Sequence, residues 1–235
     1  MDETKAWYII KWLGSIESEL CRFLQYVPFH EQNKRVWSPK LAIVMGEACA
    51  LIDSVFRSMS PGIVEIKGRR RTRKSLTIDD YRFLFSDQLR LTTRKVVALV
   101  WPPFYVTPFA GWNSPVPGQQ PCLPWWAVHN DLKHSRADDF TKATLENAID
   151  ALAAALILIG LIKEFTRPII AEGWVEHPQL RLQQLSLSNS LDATVDTQLF
   201  SFYIGERELP ENLSELQVTF YGQSKRLAAV LSSRY

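Results

Sequence analysis

Between residues 4 and 27 apolar side chains recur at helical spacing, at Ala6, Ile9, Ile10, Leu13, Ile16, Leu20, Phe23 and Leu24, and Pro28 closes the run. The pattern predicts an amphipathic helix with one buried face. Ser38-Pro39 opens a second helix, with a hydroxyl at the N-cap and proline at the first helical position. Leu41, Val44, Met45, Ala48, Leu51, Ile52, Val55, Phe56 and Met59 form its buried face, and Ser60-Pro61-Gly62 ends it. Thr77-Ile78-Asp79-Asp80 has the form of a capping start for a short helix carrying Tyr81, Leu84 and Phe85.

Residues 101–124 hold seven of the 13 prolines, interleaved with Trp101, Phe104, Tyr105, Phe109 and Trp112. A helix cannot run through such a segment, and its aromatic content predicts an ordered loop packed over the surface. A helix is expected from Pro124-Trp125-Trp126 to about Ser135. A long one is expected from about Asp139 to Phe165, ended by Pro168 and apolar nearly all round from Leu145, as befits the centre of a bundle. After Pro178 the period changes from 3.6 to 2. Leu180, Leu182, Leu185 and Leu187 hint at alternation, while Phe200, Phe202 and Ile204, then Leu216, Val218 and Phe220, show it plainly. Three short antiparallel strands are expected there, with turns near Asn189–Thr194 and Gly205–Asn212. The expected fold is mainly α: a helical bundle over residues 1–170 and a small antiparallel β-rich C-terminal appendage over 171–235.

Composition narrows the class. With 46% hydrophobic and 22% charged residues among 235, the chain is no disordered tail, collagen-like fibre or charged coiled coil. It is long enough to bury about 70% of its unfolded surface. The longest uncharged apolar run, Ala151 to Ile162, is 12 residues, short of the ~18 that a membrane span needs. The start, Met1-Asp2-Glu3-Thr4-Lys5, is acidic and lacks a secretory pattern. Cys21, Cys49 and Cys122 are scattered and form no CxxC pair, so no thiolate zinc site is expected. These features predict a soluble, cytoplasmic, reduced protein with no membrane partner, no metal and no cofactor.

Net charge is +2, from 27 basic and 25 acidic residues, but it is unevenly spread. Six basic residues and no acid fall within Lys67–Lys74, so the other 21 face 25 acids and the remainder stands at −4. The segment reads as a loop. Its Arg69, Arg70, Arg71, Arg73 and Lys74 form either a solvated run of like charge or a set of phosphate contacts with a steep salt dependence.

The residues with chemical potential cluster in the helix after Pro124. Asn130 and His134 are four apart and share one face, and His129 and Lys133 share the next. His129 and His134, five apart, lie about 140° from each other round the helix and cannot chelate one metal as a four-apart pair does.

The string Trp125-Trp126-x-x-x-Asn130-x-x-Lys133-His134-x-Arg136, followed by the Ala/Leu-rich stretch from Ala143 to Leu152, resembles a branch of the HEPN superfamily of bacterial proteins. The Ser38-Pro39 helix with Glu47 and Asp53 is similar to that branch's first core helix, so the resemblance spans about residues 35–165. It implies a helical bundle that usually forms a homodimer. Many such proteins are metal-independent ribonucleases of toxin, phage-defence or abortive-infection type; others bind nucleotides or RNA, or act as scaffolds. The family's catalytic motif is an arginine, a polar residue, a few residues and a histidine. Asn130 matches the polar position and His134 the histidine, but Ala127, Val128 and His129 stand where the arginine belongs, so His129 takes its place. The tyrosine two residues after the histidine, modified in some members, is also missing, and Arg136 is there instead.

The resemblance implies that His134 serves as base or acid with Asn130 orienting it. Lys133, Arg136 or a protonated His129 then stabilises phosphate charge, and dimerisation brings two sets together. Arginine keeps its charge at every physiological pH whereas histidine titrates near ~6.5, so a pH optimum tied to His129 is expected. Three readings of this cluster stay open: RNA cleavage, RNA or nucleotide binding without cleavage, and a hydrogen-bonded element anchoring the proline-rich loop, with Trp125 and Trp126 as core aromatics. The alternative for the whole chain is a catalytically inactive scaffold whose residues 171–235 engage a protein partner.

Overall fold

The structure, a computed structural model, describes residues 1–100, 103–113, 122–175 and 194–204. Asp2 caps the first helix, α1 (Glu3–Leu24), its carboxylate accepting from the Lys5 N–H at 2.8 Å. Ser38 caps the second, α2 (Pro39–Met59), accepting from Lys40 N–H at 3.0 Å, with Pro39 at the first helical position as the sequence predicts. The two bury their expected faces, from Ala6 to Leu20 on α1 and from Leu41 to Phe56 on α2. They run antiparallel, since Glu19 pairs with Lys40 while Trp12 Nε1 donates to Glu47 Oε2 at 2.9 Å.

The basic segment is a β-hairpin, not a loop. Strand β1 (Ile63–Ile66) pairs antiparallel with β2 (Arg69–Thr72), Ile66 opposite Arg69 and Glu65 opposite Arg70. Lys67 and Gly68 both have positive φ, 51° and 73°, which is the two-residue turn whose twist matches the flanking strands. Opposed residues share a face, so Arg69 and Arg71 lie with Val64 and Ile66 while Arg70 lies on the other side with Glu65. Arg73 and Lys74 continue into a 3-10 turn. The cations therefore do not form a single-faced stripe. Helix α3 (Ile78–Phe85) follows with the expected cap, Asp80 Oδ2 accepting from Thr77 N–H at 2.9 Å.

The proline-rich segment is ordered where described, but it enters the core instead of lying over it. Strands β3 (Val96–Ala98) and β4 (Phe104–Val106) pair antiparallel, and Phe109 and Trp112 are buried beyond them. Helix α4 (Pro124–His134) starts and stops where the sequence places it. The long helix expected from Asp139 is broken. A short α5 (Arg136–Asp139) and a 3-10 turn precede α6 (Leu145–Leu161), for which Thr144 is the cap. The amides that open α6 have no partner within their own helix. Leu145 N–H donates to the Val36 carbonyl at 2.8 Å and Glu146 N–H to that of Lys34 at 3.1 Å, which fixes the start at Thr144. From Ala151 to Gly160 every residue of α6 is buried, as its all-round apolar pattern demands. Ile162 is extended, and Pro168 sits within α7 (Thr166–Ala171) instead of ending the long helix.

Phe200, Phe202 and their neighbours form β6 (Phe200–Tyr203), preceded by β5 (Thr194–Asp196), so Thr194 opens a strand instead of closing a turn. The sheet order is β4-β3-β6-β5, antiparallel throughout, with Val96 opposite Phe202. Strands from the C-terminal side of residue 170 thus complete a sheet begun before it. Both faces of β6 are buried, and Phe202 packs so closely on Gly160 that a Cβ there would meet the ring at 2.7 Å. The turn between β5 and β6 is tied to α1: the buried Glu17 carboxylate accepts from Thr197 Oγ1, from Gln198 N–H at 3.2 Å and from Leu199 N–H at 2.9 Å. The strands expected at Leu180–Leu187 and Leu216–Phe220, and the turn at Gly205–Asn212, lie outside the described residues. Among the described residues no single helix is long and apolar enough to cross a membrane.

Candidate functional site

Helix α4 packs across α2 and leaves a groove between them. On α4 the lining residues are Trp126, His129, Asn130, Leu132 and Lys133, four of them at the spacing of one helical face. On α2 the facing positions carry short side chains, Ala42, Gly46 and Ala50, and a Cβ added to Gly46 would touch nothing within 4 Å. That absence of bulk leaves a cavity of about 830 Å³. Glu47, Asp53 and Arg57 bring charge to the same wall, and Leu76, Thr77 and Ile78 complete the lining.

The carboxylates of the wall are held by the protein. Glu47 accepts from the Trp12 indole. Asp53 Oδ1 accepts from the Tyr81 hydroxyl at 2.9 Å, and its Oδ2 lies 2.8 Å from Arg57 Nε as an ion pair without a well-aligned hydrogen bond. Burial opposes the Arg57 charge, yet Asp53 and Tyr81 outweigh it and hold the guanidinium above its usual range. Burial, then the adjacent Asp53 carboxylate, pushes the Tyr81 phenol far up, so it stays a donor. An aromatic cluster backs this pair, Phe56 stacking on Tyr81 at 4.8 Å and on Phe85 at 5.5 Å.

Of the residues singled out from the sequence, His129, Asn130 and Lys133 meet in the groove. His129 is half-buried, its ring 5.5 Å from that of Trp126. Burial lowers its pKa and the Lys133 charge adds to this, while Asp53 opposes both. These surroundings favour the neutral form of the imidazole. His134 is exposed and does not line the groove, being about 100° past Lys133 round the helix. Arg136 opens α5, and its side chain lies outside the described ones. Arg69, Arg70, Arg71, Arg73 and Lys74 sit on the hairpin and its following turn, and the chain runs from Lys74 through Ser75 directly into Leu76, which lines the groove.

The tryptophans divide. Trp125 is wholly buried, its Nε1 donating to the Pro108 carbonyl at 2.8 Å, and so anchors the proline-rich segment. Trp126 is half-buried and lines the groove. Cys49 also borders the groove, but burial pushes its thiol well up, which leaves it no nucleophile. Among the described residues no three His, Cys, Asp or Glu side chains group closely enough to hold a metal ion.

Arg57 and Tyr81 were not legible as site residues. The available signal was the Asp53/Arg57 pair, four apart on the small-residue side of α2. No protein-family model, curated protein or solved structure matches this chain. The HEPN resemblance therefore rests on the residues of α2, α4 and α6 alone.

Proposed function

We propose that this chain is a HEPN-like cytoplasmic protein of bacterial defence or toxin type that binds RNA along the α2–α4 groove and the basic hairpin. His129 is the proton-transfer group for cleavage without a metal. The observation that carries this reading is the convergence of His129, Asn130 and Lys133 from α4 with Arg57 from α2 on one cavity large enough for a nucleotide. Leu76 of its lining follows two residues after the most basic stretch of the chain.

The chemistry follows from the parts. A neutral imidazole takes the 2′-hydroxyl proton, the freed oxygen attacks the adjacent phosphorus, and the 5′-oxygen leaves with a proton. Cations beside the phosphorus stabilise the charge that builds there. The products are a 2′,3′-cyclic phosphate and a 5′-hydroxyl. One groove carries one such imidazole, so a homodimer that juxtaposes two copies supplies the acid as well as the base.

A second reading, an inactive scaffold that holds a protein partner through residues 171–235, is favoured by one observation: His134, the match to the motif histidine, stands outside the groove. Incubating the protein with total RNA in EDTA separates the two. The enzyme reading expects cleavage that His129→Ala abolishes and Asn130→Ala reduces; the scaffold reading expects none from the wild type.

A further inference from the structure

We propose that Arg57, reaching in from α2, is the phosphate-binding cation of the groove and takes the part that α4 lacks. The inference rests on the RNA reading above and names the ligand's chemistry: a phosphoryl group, as the phosphodiester of single-stranded RNA or the monoester of a nucleotide.

Three positions on α4 stand where the motif arginine belongs. Ala127 is exposed, Val128 packs against the core, and only His129 turns to the groove. The permanent cation that α4 brings to the groove is Lys133, a flexible point charge. The facing wall supplies a guanidinium, whose fork matches two phosphate oxygens at once. Its Nε lies 2.8 Å from Asp53 Oδ2, and Tyr81 donates to the same carboxylate, so an ion pair places the guanidinium at the groove wall. The Arg57 side chain remains 42% exposed, and a guanidinium has five N–H donors, of which the Asp53 ion pair faces only the one at Nε.

Of the two carboxylates on the wall, Asp53 is paired with Arg57 itself, while Glu47 accepts from the Trp12 indole, a neutral donor that does not offset its charge. Arg57 from α2 and Lys133 from α4 bring a cation from each wall, with His129 and Asn130 on the α4 side. Trp126 is half-buried and lines the groove on that side, an aromatic on which an attached base can stack.

The test is equilibrium binding of a fluorescein-labelled single-stranded 15-nucleotide RNA and of adenosine 3′-monophosphate across a salt series. It compares wild type, Arg57→Gln, Arg57→Lys and Lys163→Gln, a cation that does not line the groove. Arg57→Gln is expected to weaken both ligands roughly tenfold, as for loss of a charge-assisted contact, and to lower the RNA salt slope by about 0.7. Arg57→Lys should restore the slope but only part of the affinity, and Lys163→Gln should match wild type. Unchanged affinity and slope in Arg57→Gln overturn the proposal. If that variant does not fold, Arg57→Lys decides: a several-fold loss supports the fork and no loss overturns it. Arg57-dependent binding of the mononucleotide without RNA binding removes the RNA reading and leaves the phosphate site standing. A wild type that binds neither ligand overturns both.

Discussion

The Tyr81 hydroxyl donates to Asp53 Oδ1 at 2.9 Å, while Asp53 Oδ2 lies 2.8 Å from Arg57 Nε, so one carboxylate joins α3 to the charged wall of the groove. The Tyr81 ring stacks on Phe56 independently of its hydroxyl. Tyr81→Phe therefore removes one hydrogen bond and keeps the packing. It should cost about 1 kcal/mol, a melting shift of about 2–4 °C for a chain of this size, and loosen phosphate binding less than Arg57→Gln does. A melting temperature identical to wild type would mean that the bond contributes nothing in solution.

His129 should make stability fall on acidification. Its folded pKa is depressed by burial and by Lys133, below the unfolded value of ~6.5. A depressed value means that the folded state takes up the proton less readily. The contribution is thus present above ~6.5 and lost as pH falls through the folded pKa. Thermal melts between pH 7.5 and 5 should show a smaller loss for His129→Gln than for wild type. Parallel losses would place the histidine in an open, solvated setting.

Asp150 on α6 works in the opposite direction. Burial, then the Glu146 charge one turn away, pushes its carboxyl up to about 7, with Lys34 opposing. A raised pKa gives a contribution present below the unfolded value of ~3.9 and lost as pH rises through about 7. Asp150→Asn should therefore stabilise the protein at pH 8 by roughly 1–3 kcal/mol and by little at pH 4. Denaturant melts at the two pH values read the difference directly, and an equal effect at both would contradict it.

Gly160 is where α6 admits the sheet. A Cβ at this position would lie 2.7 and 2.8 Å from two atoms of the Phe202 ring. Gly160→Ala should cost about 1–3 kcal/mol through overpacking, despite the better helix propensity of alanine. Combining it with Phe202→Leu should recover part of the loss, since neighbouring sites couple. Simple additivity of the two would show that the ring does not meet this residue.

Where boundaries are made by local chemistry, the sequence is sufficient. Ser38-Pro39, the Thr77/Asp80 pair and Pro124 each mark a helix start within three residues of chain, and α2, α3 and α4 begin there. The break at Thr144 is different. It depends on carbonyls of Lys34 and Val36, more than a hundred residues away, and an apolar pattern cannot reveal it. Val96-Val97-Ala98 and Phe104–Val106 are too short to display a period; they pair with each other, and β6 joins the sheet beside Val96–Ala98. The hairpin hid behind its charge: Lys67-Gly68 is a turn signal, but a run of arginines masks any alternation.

The candidate site divides the same way. Asn130 and Lys133 are on the groove because they share a helical face with Trp126, which spacing alone gives. Pairing Asn130 with His134 was equally sound as helix geometry, but where α4 lies on α2 decides which flank of that face is covered. His129 falls inside and His134 outside. Arg57 joins the site through the packing of two helices, and on α2 alone its sign is the four-residue spacing from Asp53.

The most direct test of the central claim follows the four histidines by NMR as RNA is added. Imidazole Cε1–H signals from His30, His129, His134 and His177 are assigned by substitution and titrated with a short single-stranded RNA. The account predicts that the His129 signal moves most and saturates with binding, and that the His30 signal, from a residue that does not line the groove, stays fixed. RNA that binds while the His129 signal stays still, or no binding at all, would contradict it.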